Sequence, residues 1–355
     1  MAYTDIDKPS DYFDTKLYTG TGSNNITLTM DNVGWVWMKN RTNTGNHILM
    51  DIVRGGNNSN SQKPVLVSNT GGAEQGSDIT ATGGLAFGST STVIGSDNGG
   101  YNYNNSTSSN YVAWHWGAGG SASNNTDGNT TTSVSVNQDA GFSIMKYAGD
   151  GNDSTIGHGL GAKPEYIIFK EIDGAESWRV WSKYTPDTAS KALALNLTDA
   201  AFSQSGWIGA ISTSTISIGT DSSINTNGNN YIAYAFAPKQ GFSKFGSYTG
   251  NGNANGTFIY TGFKPAWVMI KNTTTAGKHW VIHDNKRNTF NPTNKELVAQ
   301  GSGEEVDDTR FDFLSNGLKI RDSASYVNTS GDIYIYMCFA ENPFVTSSGV
   351  PATAR

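Results

Sequence analysis

The chain has 355 residues, with 42 Gly, 9 Trp, 16 Tyr and 15 Phe, 15% charged side chains and a net charge of −6. That length suits two or three domains. Few charges beside many aromatics exclude a disordered polyelectrolyte, and the modest negative charge leaves no footprint for nucleic acid.

In chain order, residues 1–16 read as a short arm, in which Pro9, Tyr12 and Phe13 are the candidates for docking on a neighbouring protein. The first residues carry neither the basic region nor the apolar run of a secretory signal, so synthesis in a cytoplasm is expected. No stretch approaches the ~20 apolar residues of a membrane-crossing helix, and no membrane insertion is expected.

Residues 17–116, 141–238 and 239–344 then carry four signatures in one order, the mark of an internal repeat. The first is Tyr18-Thr19-Gly20-Thr21-Gly22, Tyr147-Ala148-Gly149-Asp150-Gly151 and Tyr248-Thr249-Gly250-Asn251-Gly252. Alternate glycines permit the positive φ of a tight reversal. The second is an apolar strand ending in lysine: Trp35-Val36-Trp37-Met38-Lys39, Tyr166-Ile167-Ile168-Phe169-Lys170 and Trp267-Val268-Met269-Ile270-Lys271. Lys163-Pro164 and Lys264-Pro265 precede the last two; proline donates nothing to a ladder and suits a strand's start.

The third signature is His47-Ile48-Leu49-Met50-Asp51, Trp178-Arg179-Val180-Trp181 and Trp280-Val281-Ile282-His283-Asp284, with Arg54 and Arg287 downstream in the first and last. The fourth begins at Tyr111, Tyr231 and Tyr334 and closes each unit. Units of about 100 residues with short, evenly spaced strands predict an all-β chain of three tandem β-sandwich, jelly-roll-like repeats behind a short N-terminal arm. Polar insertions around 57–76 and 97–109 lengthen the first unit. The Gly, Ser, Asn and Thr-rich stretch 117–140 reads as a linker, 189–201 as one short helix, and 345–355 as a tail.

Chemistry is sparse. Cys338 sits in an apolar run, which excludes an intrachain disulfide and predicts a buried, inert thiol. His47, His115, His158, His279 and His283 are scattered and read as ordinary surface histidines; His279 and His283 flank a strand with no third ligand. His158, between Gly157 and Gly159, reads as a turn residue bonding local backbone, because a proline and a strand follow where a phosphate loop would open a helix. Asp150-Gly151-Asn152-Asp153 and Asp97-Asn98-Gly99 are oxygen-rich turns without EF-hand spacing. Calcium is the only cofactor they leave open.

Glu304-Glu305-Val306-Asp307-Asp308 reads as a solvated acidic loop, since a run in one loop does not place two carboxylates across a cleft. No catalytic, cofactor-binding or metal-ligating residue is therefore expected. Trp35 with Trp37, and Trp114 with Trp116, share strand faces and are expected to be buried together; a sugar-binding aromatic platform is the alternative use of tryptophan.

The Gly-Phe-Ser lead-ins at Gly141 and Gly241, the Tyr-x-Gly-x-Gly turns, the His158-Gly159-Leu160-Gly161 turn and the lysine-ended aromatic strands resemble tandem repeats in virion structural, tail-fibre-like proteins of tailed, mostly marine, bacteriophages. Residues 242–342 carry the likeness most fully, with Phe313-Leu314-Ser315-Asn316-Gly317 near their end, and Lys8-Pro9-Ser10-Asp11-Tyr12-Phe13 resembles the start of the same proteins. The first unit departs from the pattern, lacking the Lys-Pro pair.

The resemblance implies a virion surface protein, assembled in the host cytoplasm, that docks on tail or capsid proteins and binds without catalysis. Its foremost form is a tail-fibre or receptor-binding protein contacting a host cell-surface glycan or protein. Capsid decoration is the alternative, and a glycan depolymerase a lesser one. A homo-oligomer is compatible with the sequence, although no heptad stalk enforces one.

Overall fold

The computed structural model describes residues 3–22, 26–55, 65–75, 86–87, 90–95, 105–187 and 190–352. The Asp97-Asn98-Gly99 turn and much of both polar insertions lie outside the described residues. Where aromatic and β-branched residues run between Gly and Asn turns, the chain is extended, because such side chains fit a pleated, buried surface. The fold is all-β, built of several antiparallel sheets. The one α-helix among the described residues is the single turn α1 (Ser222–Asn225), capped by Asp221. No helix is long and apolar enough to cross a membrane.

Three groups of strands follow one another. The first is β1 (Phe13–Thr19), β2 (Ile26–Thr29), β3 (Trp35–Asn40), β4 (Ile48–Asp51), β5 (Leu66–Val67), β6 (Ala86–Phe87), β7 (Ser91–Ile94) and β8 (Asn110–Trp116). Next come β9 (Ser123–Asn125) and β10 (Thr132–Asn137), then the second group: β11 (Phe142–Ala148), β12 (Ser154–Gly157), β13 (Tyr166–Glu171), β14 (Arg179–Ser182), β15 (Lys191–Ala194), β16 (Phe202–Ser203), β17 (Ile208–Ile211), β18 (Thr215–Ile218) and β19 (Asn230–Phe236). The third is β20 (Ser243–Thr249), β21 (Phe258–Tyr260), β22 (Phe263–Asn272), β23 (Trp280–Asp284), β24 (Thr293–Val298), β25 (Val306–Leu314), β26 (Gly317–Ile320) and β27 (Ile333–Pro343).

The main sheets run β1-β8-β3-β4-β5, β11-β19-β13-β14-β15 and β20-β27-β22-β23-β24, so each group closes by laying its last strand between its first and third. The outer strands run β2-β7-β6, β12-β18-β17 and β21-β26-β25. Tyr18, Tyr147 and Tyr248 stand opposite Tyr111, Tyr231 and Tyr334 in register. Their rings stack at 4.9, 5.4 and 5.0 Å. The carboxamide oxygens of buried Asn105, Asn225 and Asn328 accept from the backbone N–H of Thr21, Asp150 and Asn251, holding the glycine turns in place. The second glycine of each turn has φ of 77°, 75° and 68°. The first needs glycine because a Cβ would strike the carbonyl of Ser106, Thr226 or Thr329.

Three expectations change. The 117–140 stretch holds β9 and β10, which extend the second main sheet beyond β11 instead of linking two bodies loosely. The short helix expected over 189–201 is the strand β15 followed by a turn: Ala192, Leu193 and Ala194 are buried in a sheet, and helix propensity yields to that burial.

The third change concerns where the aromatic residues go. Each main sheet packs its back on its outer strands, as Val36, Met38 and Met50 do in the first group and Ile167, Phe169 and Trp207 in the second. The opposite faces of all three main sheets turn inward on one shared core. Trp35 stacks on Tyr234 at 4.5 Å, Trp116 meets Trp267 edge-on at 5.6 Å, and Phe236 meets Phe339 at 6.0 Å, so every pair of groups is joined by rings. Trp35 with Trp37 and Trp114 with Trp116 are buried together as expected, but between sandwiches and not within one.

Polar seams close the arrangement cyclically. His47, Trp178 and Trp280 stand at the start of the fourth strand of their groups. Trp178 Nε1 donates to Val67 O at 2.8 Å, Trp280 Nε1 to Ala194 O at 2.9 Å, and His47 Nε2 meets Val298 O at 3.0 Å. Second thus bonds to first, third to second, and first to third. Trp37 Nε1 donates to His47 Nδ1 at 2.7 Å, which puts the imidazole proton on Nε2 and makes it the donor to Val298.

Two seams also bury an ion pair. Asp51 binds Arg54 and accepts from Tyr234 Oη at 2.7 Å; Asp284 binds Arg287 and accepts from Trp114 Nε1 at 3.0 Å. At the remaining seam the same positions are Ser182, Thr185 and Met337. Carboxylate, guanidinium and donor are all absent together, as a buried charge demands.

That internal comparison predicts an outcome. Asp51→Ala, which removes the buried carboxylate and leaves Arg54 with only the more exposed Glu74 as a counter-charge, should cost about 3 kcal/mol. The triple variant Asp51→Ser, Arg54→Thr, Tyr234→Met copies the uncharged seam and should cost clearly less in urea unfolding. A triple variant weaker than the single one would contradict the account.

Acid gives a second test. His47, His115, His158 and His283 are all 0% exposed. Burial pulls each below the ordinary histidine value, His115 to about 4. The folded chain keeps His47 and His115 neutral, while the unfolded chain protonates them below about pH 6.5, so stability is lost as pH falls, by about 1.4 kcal/mol per pH unit for each of these two, and the lowered His158 and His283 act in the same direction. The urea midpoint should drop steeply between about pH 6.5 and about pH 4.5; a flat midpoint over that span would refute it.

Candidate functional site

The residues singled out by chemistry are mostly structural. His47, His115, His158 and His283 are not surface side chains, as expected, but buried ones. His283 faces Glu296 at 3.4 Å and Phe311 edge-on, whereas His279 stacks on Tyr326 at 4.3 Å, so the two do not converge. His158 Nδ1 accepts from Leu160 N at 3.2 Å, a local turn contact. Cys338 is buried, and burial pushes its thiol up.

Glu305 corrects the solvated-loop expectation. It bonds Arg41 at 2.8 Å and Arg287 at 3.1 Å across the seam between the first and third groups, because those guanidiniums need a carboxylate there. Asp150 accepts from Asn152 N at 2.9 Å as an ordinary Asx turn. No group of three or more His, Cys, Asp or Glu among the described residues could hold a metal ion.

The lysines that end the third strands are buried as well. Lys39 Nζ donates to Asn40 O at 2.6 Å, Lys170 Nζ to Glu171 O at 2.6 Å, and Lys271 Nζ to Thr198 O at 3.1 Å across a seam. Burial draws Lys39 and Lys170 down to about 8 and Lys271 to about 7. Each ammonium satisfies turn carbonyls that would otherwise be left without a donor.

The docking candidates point inward. Phe13 is 2% exposed and stacks on Phe339 at 5.1 Å; Pro9 is buried in a short 3-10 turn; half-buried Tyr12 packs edge-on against Phe242 at 5.8 Å. They pin the arm to this chain's own core. Farther out, Thr4 Oγ1 donates to Gln240 O at 2.7 Å and Tyr3 Oη to Gly262 O at 2.6 Å.

Those two bonds build the candidate site. With the arm strapped across the joint between second and third groups, two adjoining hollows of 370 and 410 Å³ share Tyr3, Lys239 and Gln240. Tyr12, Asp5 and Asp139 line one; Tyr184, Tyr260 and Glu165 line the other. Tyr184 Oη donates to Glu165 Oε2 at 2.7 Å, and Lys183 pairs with the other carboxylate oxygen at 2.6 Å. Lys244 Nζ bonds Tyr260 O at 2.9 Å and lies 5.1 Å from that ring's centre.

Burial and the neighbouring Tyr260 push the Tyr3 phenol up, and burial with Glu165 does the same to Tyr184, so both remain neutral hydroxyls. The Lys239 ammonium has no partner among the described residues. Ring faces, hydroxyls, an ammonium and carboxylates thus meet in one place, a set suited to holding a polar ligand that also has apolar faces. A larger hollow of 490 Å³ on the outer sheet of the second group is lined by Asn129, Asp153, Thr155 and Trp207 among glycines, serines and isoleucines, with no cationic side chain in its wall.

Sequence reasoning missed this cleft. Tyr3, Tyr184, Lys239 and Tyr260 come from four separate segments, and no local spacing links them. The one available signal was Phe258-Ile259-Tyr260, where alternation puts two aromatics on the face opposite a buried isoleucine.

No curated protein and no solved structure matches the chain. A family model described as a domain of unknown function, DUF7483, matches residues 8–343. The match spans nearly the whole ring of strands and seams described above, and the chain belongs to the DUF7483 family.

Proposed function

We propose that the protein is a structural protein of a tailed-phage virion, displayed on the particle surface and acting by non-covalent binding as a tail-fibre or receptor-binding component. The observation that carries this reading is the division of its aromatic residues. All nine tryptophans are buried, at most 8% exposed, seven of them in the core that the three groups share, whereas the partly exposed Tyr3, Tyr12, Tyr184 and Tyr260 gather at the cleft. A rigid scaffold that carries its recognition groups on edges and connections suits binding. The likeness of its turns and strands to phage virion repeats supplies the setting. Its partners would be other virion proteins and a host cell-surface molecule.

A second reading, a capsid decoration protein, is favoured by the cyclic seams. Three groups bonded first to third, second to first and third to second make a pseudo-threefold body, which suits a threefold site on a head.

Purified particles separate the two. Immunogold labelling with antibody to this protein should mark the tail, at a few copies per particle by quantitative mass spectrometry. Dense labelling over the head would select the decoration reading, and absence from washed particles would end both.

A further inference from the structure

We infer that the outer face of β21, together with the adjoining tyrosine cleft, is a binding track for an uncharged oligosaccharide. This deepens the reading of the protein as a surface binder and rests on it. The argument starts from three equivalent strands. Leu28 on β2, Ile156 on β12 and Ile259 on β21 are buried at matching positions, opposite Thr92, Ile216 and Leu318. The outward residues flanking them are Thr27 and Thr29, then Thr155 and Gly157, then Phe258 and Tyr260. The fold is therefore satisfied by threonine or glycine there. In the third group it carries two aromatic side chains instead, 44% and 49% exposed.

The same comparison shows an open edge. On β12 the chain covers itself: Thr130 N donates to Thr155 O at 3.0 Å and Thr132 Oγ1 to Gly157 O at 2.8 Å. β21 is the last strand of its sheet, and among the described residues no further strand pairs with it; Lys244 Nζ bonds the Tyr260 carbonyl at 2.9 Å. Phe258 and Tyr260 lie two residues apart on one face, about 7 Å along the strand. The Phe258 ring rests against Gly317, where a Cβ would come within 3.0 Å of it, and Tyr260 leads through Gly262 to Tyr3 and the cleft.

A row of rings longer than one sugar, ending among tyrosine hydroxyls, Lys239, Glu165 and Asp139, matches the chemistry of a sugar chain. Pyranose C–H faces stack on the rings, and hydroxyls both donate to the carboxylates and accept from the ammonium. Groups of both signs favour an uncharged chain over a polyanion, and a purely apolar ligand would leave them unpaired. An extended peptide strand is the competing occupant of an open edge.

A printed array of bacterial O-chain and capsular polysaccharides, followed by saturation-transfer NMR with fragments of the best binder, tests this. Phe258→Thr and Tyr260→Ala should each weaken that binding, Tyr260→Ala by about tenfold, as expected for the loss of a stacked ring. Phe290→Ala, at a residue 78% exposed outside the track, should leave it unchanged. All three variants should melt like the parent, since these side chains are exposed. A silent array, or binding that survives Tyr260→Ala, overturns the assignment. So does protection of the β21 amides from hydrogen exchange by an extended Val/Thr peptide. Particle labelling is read separately: a protein found on virions but blind to the array keeps the surface reading and loses this one.

Discussion

Trp35 and Trp116 of the first group, Tyr234 of the second and Trp267 of the third come together in the shared core, and the contact among their rings dictates where the three main sheets must stand. A sheet that packs outer strands on one face and tryptophan on the other is buried on both sides. That is why β3, β13 and β22 are buried at every position, with no exposed residue to break the run. Such strands cannot exist in a lone sandwich without baring a wide aromatic face to water. Each group needs the other two, and the chain is held as one body by the largest apolar surface it has.

Once the sheets face one another, their backbone edges and polar residues have to be satisfied at the seams. The aromatic N–H to carbonyl bonds made by Trp178 and Trp280, with His47 filling the same role at the remaining seam, do this without charge. The Asp51–Arg54 and Asp284–Arg287 pairs do it with charge, and at the third seam Ser182, Thr185 and Met337 do without. The three groups respect a rule of low-dielectric interiors: the partners of a buried ion are present together or absent together.

With tryptophan, most histidines and much of the strong ionic pairing committed to the interior, the aromatic side chains left partly exposed are peripheral residues that the core does not need. Tyr3, Tyr184, Tyr260 and Phe258 answer that description. They sit where the N-terminal arm crosses the joint between second and third groups, so the same strap that closes the molecule also builds the cleft. The arm is an internal fastening whose outer surface lines the cleft.

Local chemistry was legible along the chain. The glycine turns, the lysine-ended apolar strands, the closing tyrosines and the buried cysteine could be read directly, because each is set by a few neighbouring residues and by strand periodicity. Two signals present in the sequence were passed over. Asn105, Asn225 and Asn328 each stand six residues before the closing tyrosine and lock the glycine turn. The unbroken apolar runs of the third strands, without polar alternation, already meant burial on both faces.

What the sequence alone determined is therefore the recurring strands and their glycine turns, while β9, β10 and β15 show themselves only in the folded sheets. What only the tertiary structure decided is which face of each strand meets its own sandwich and which meets another group. Period-two alternation assigns residues to two faces but does not label them. The fates of Phe13, Glu305 and the cleft tyrosines followed from pairings hundreds of residues apart, such as Glu305 with Arg41 and Tyr3 with Gly262, and no local spacing encodes those.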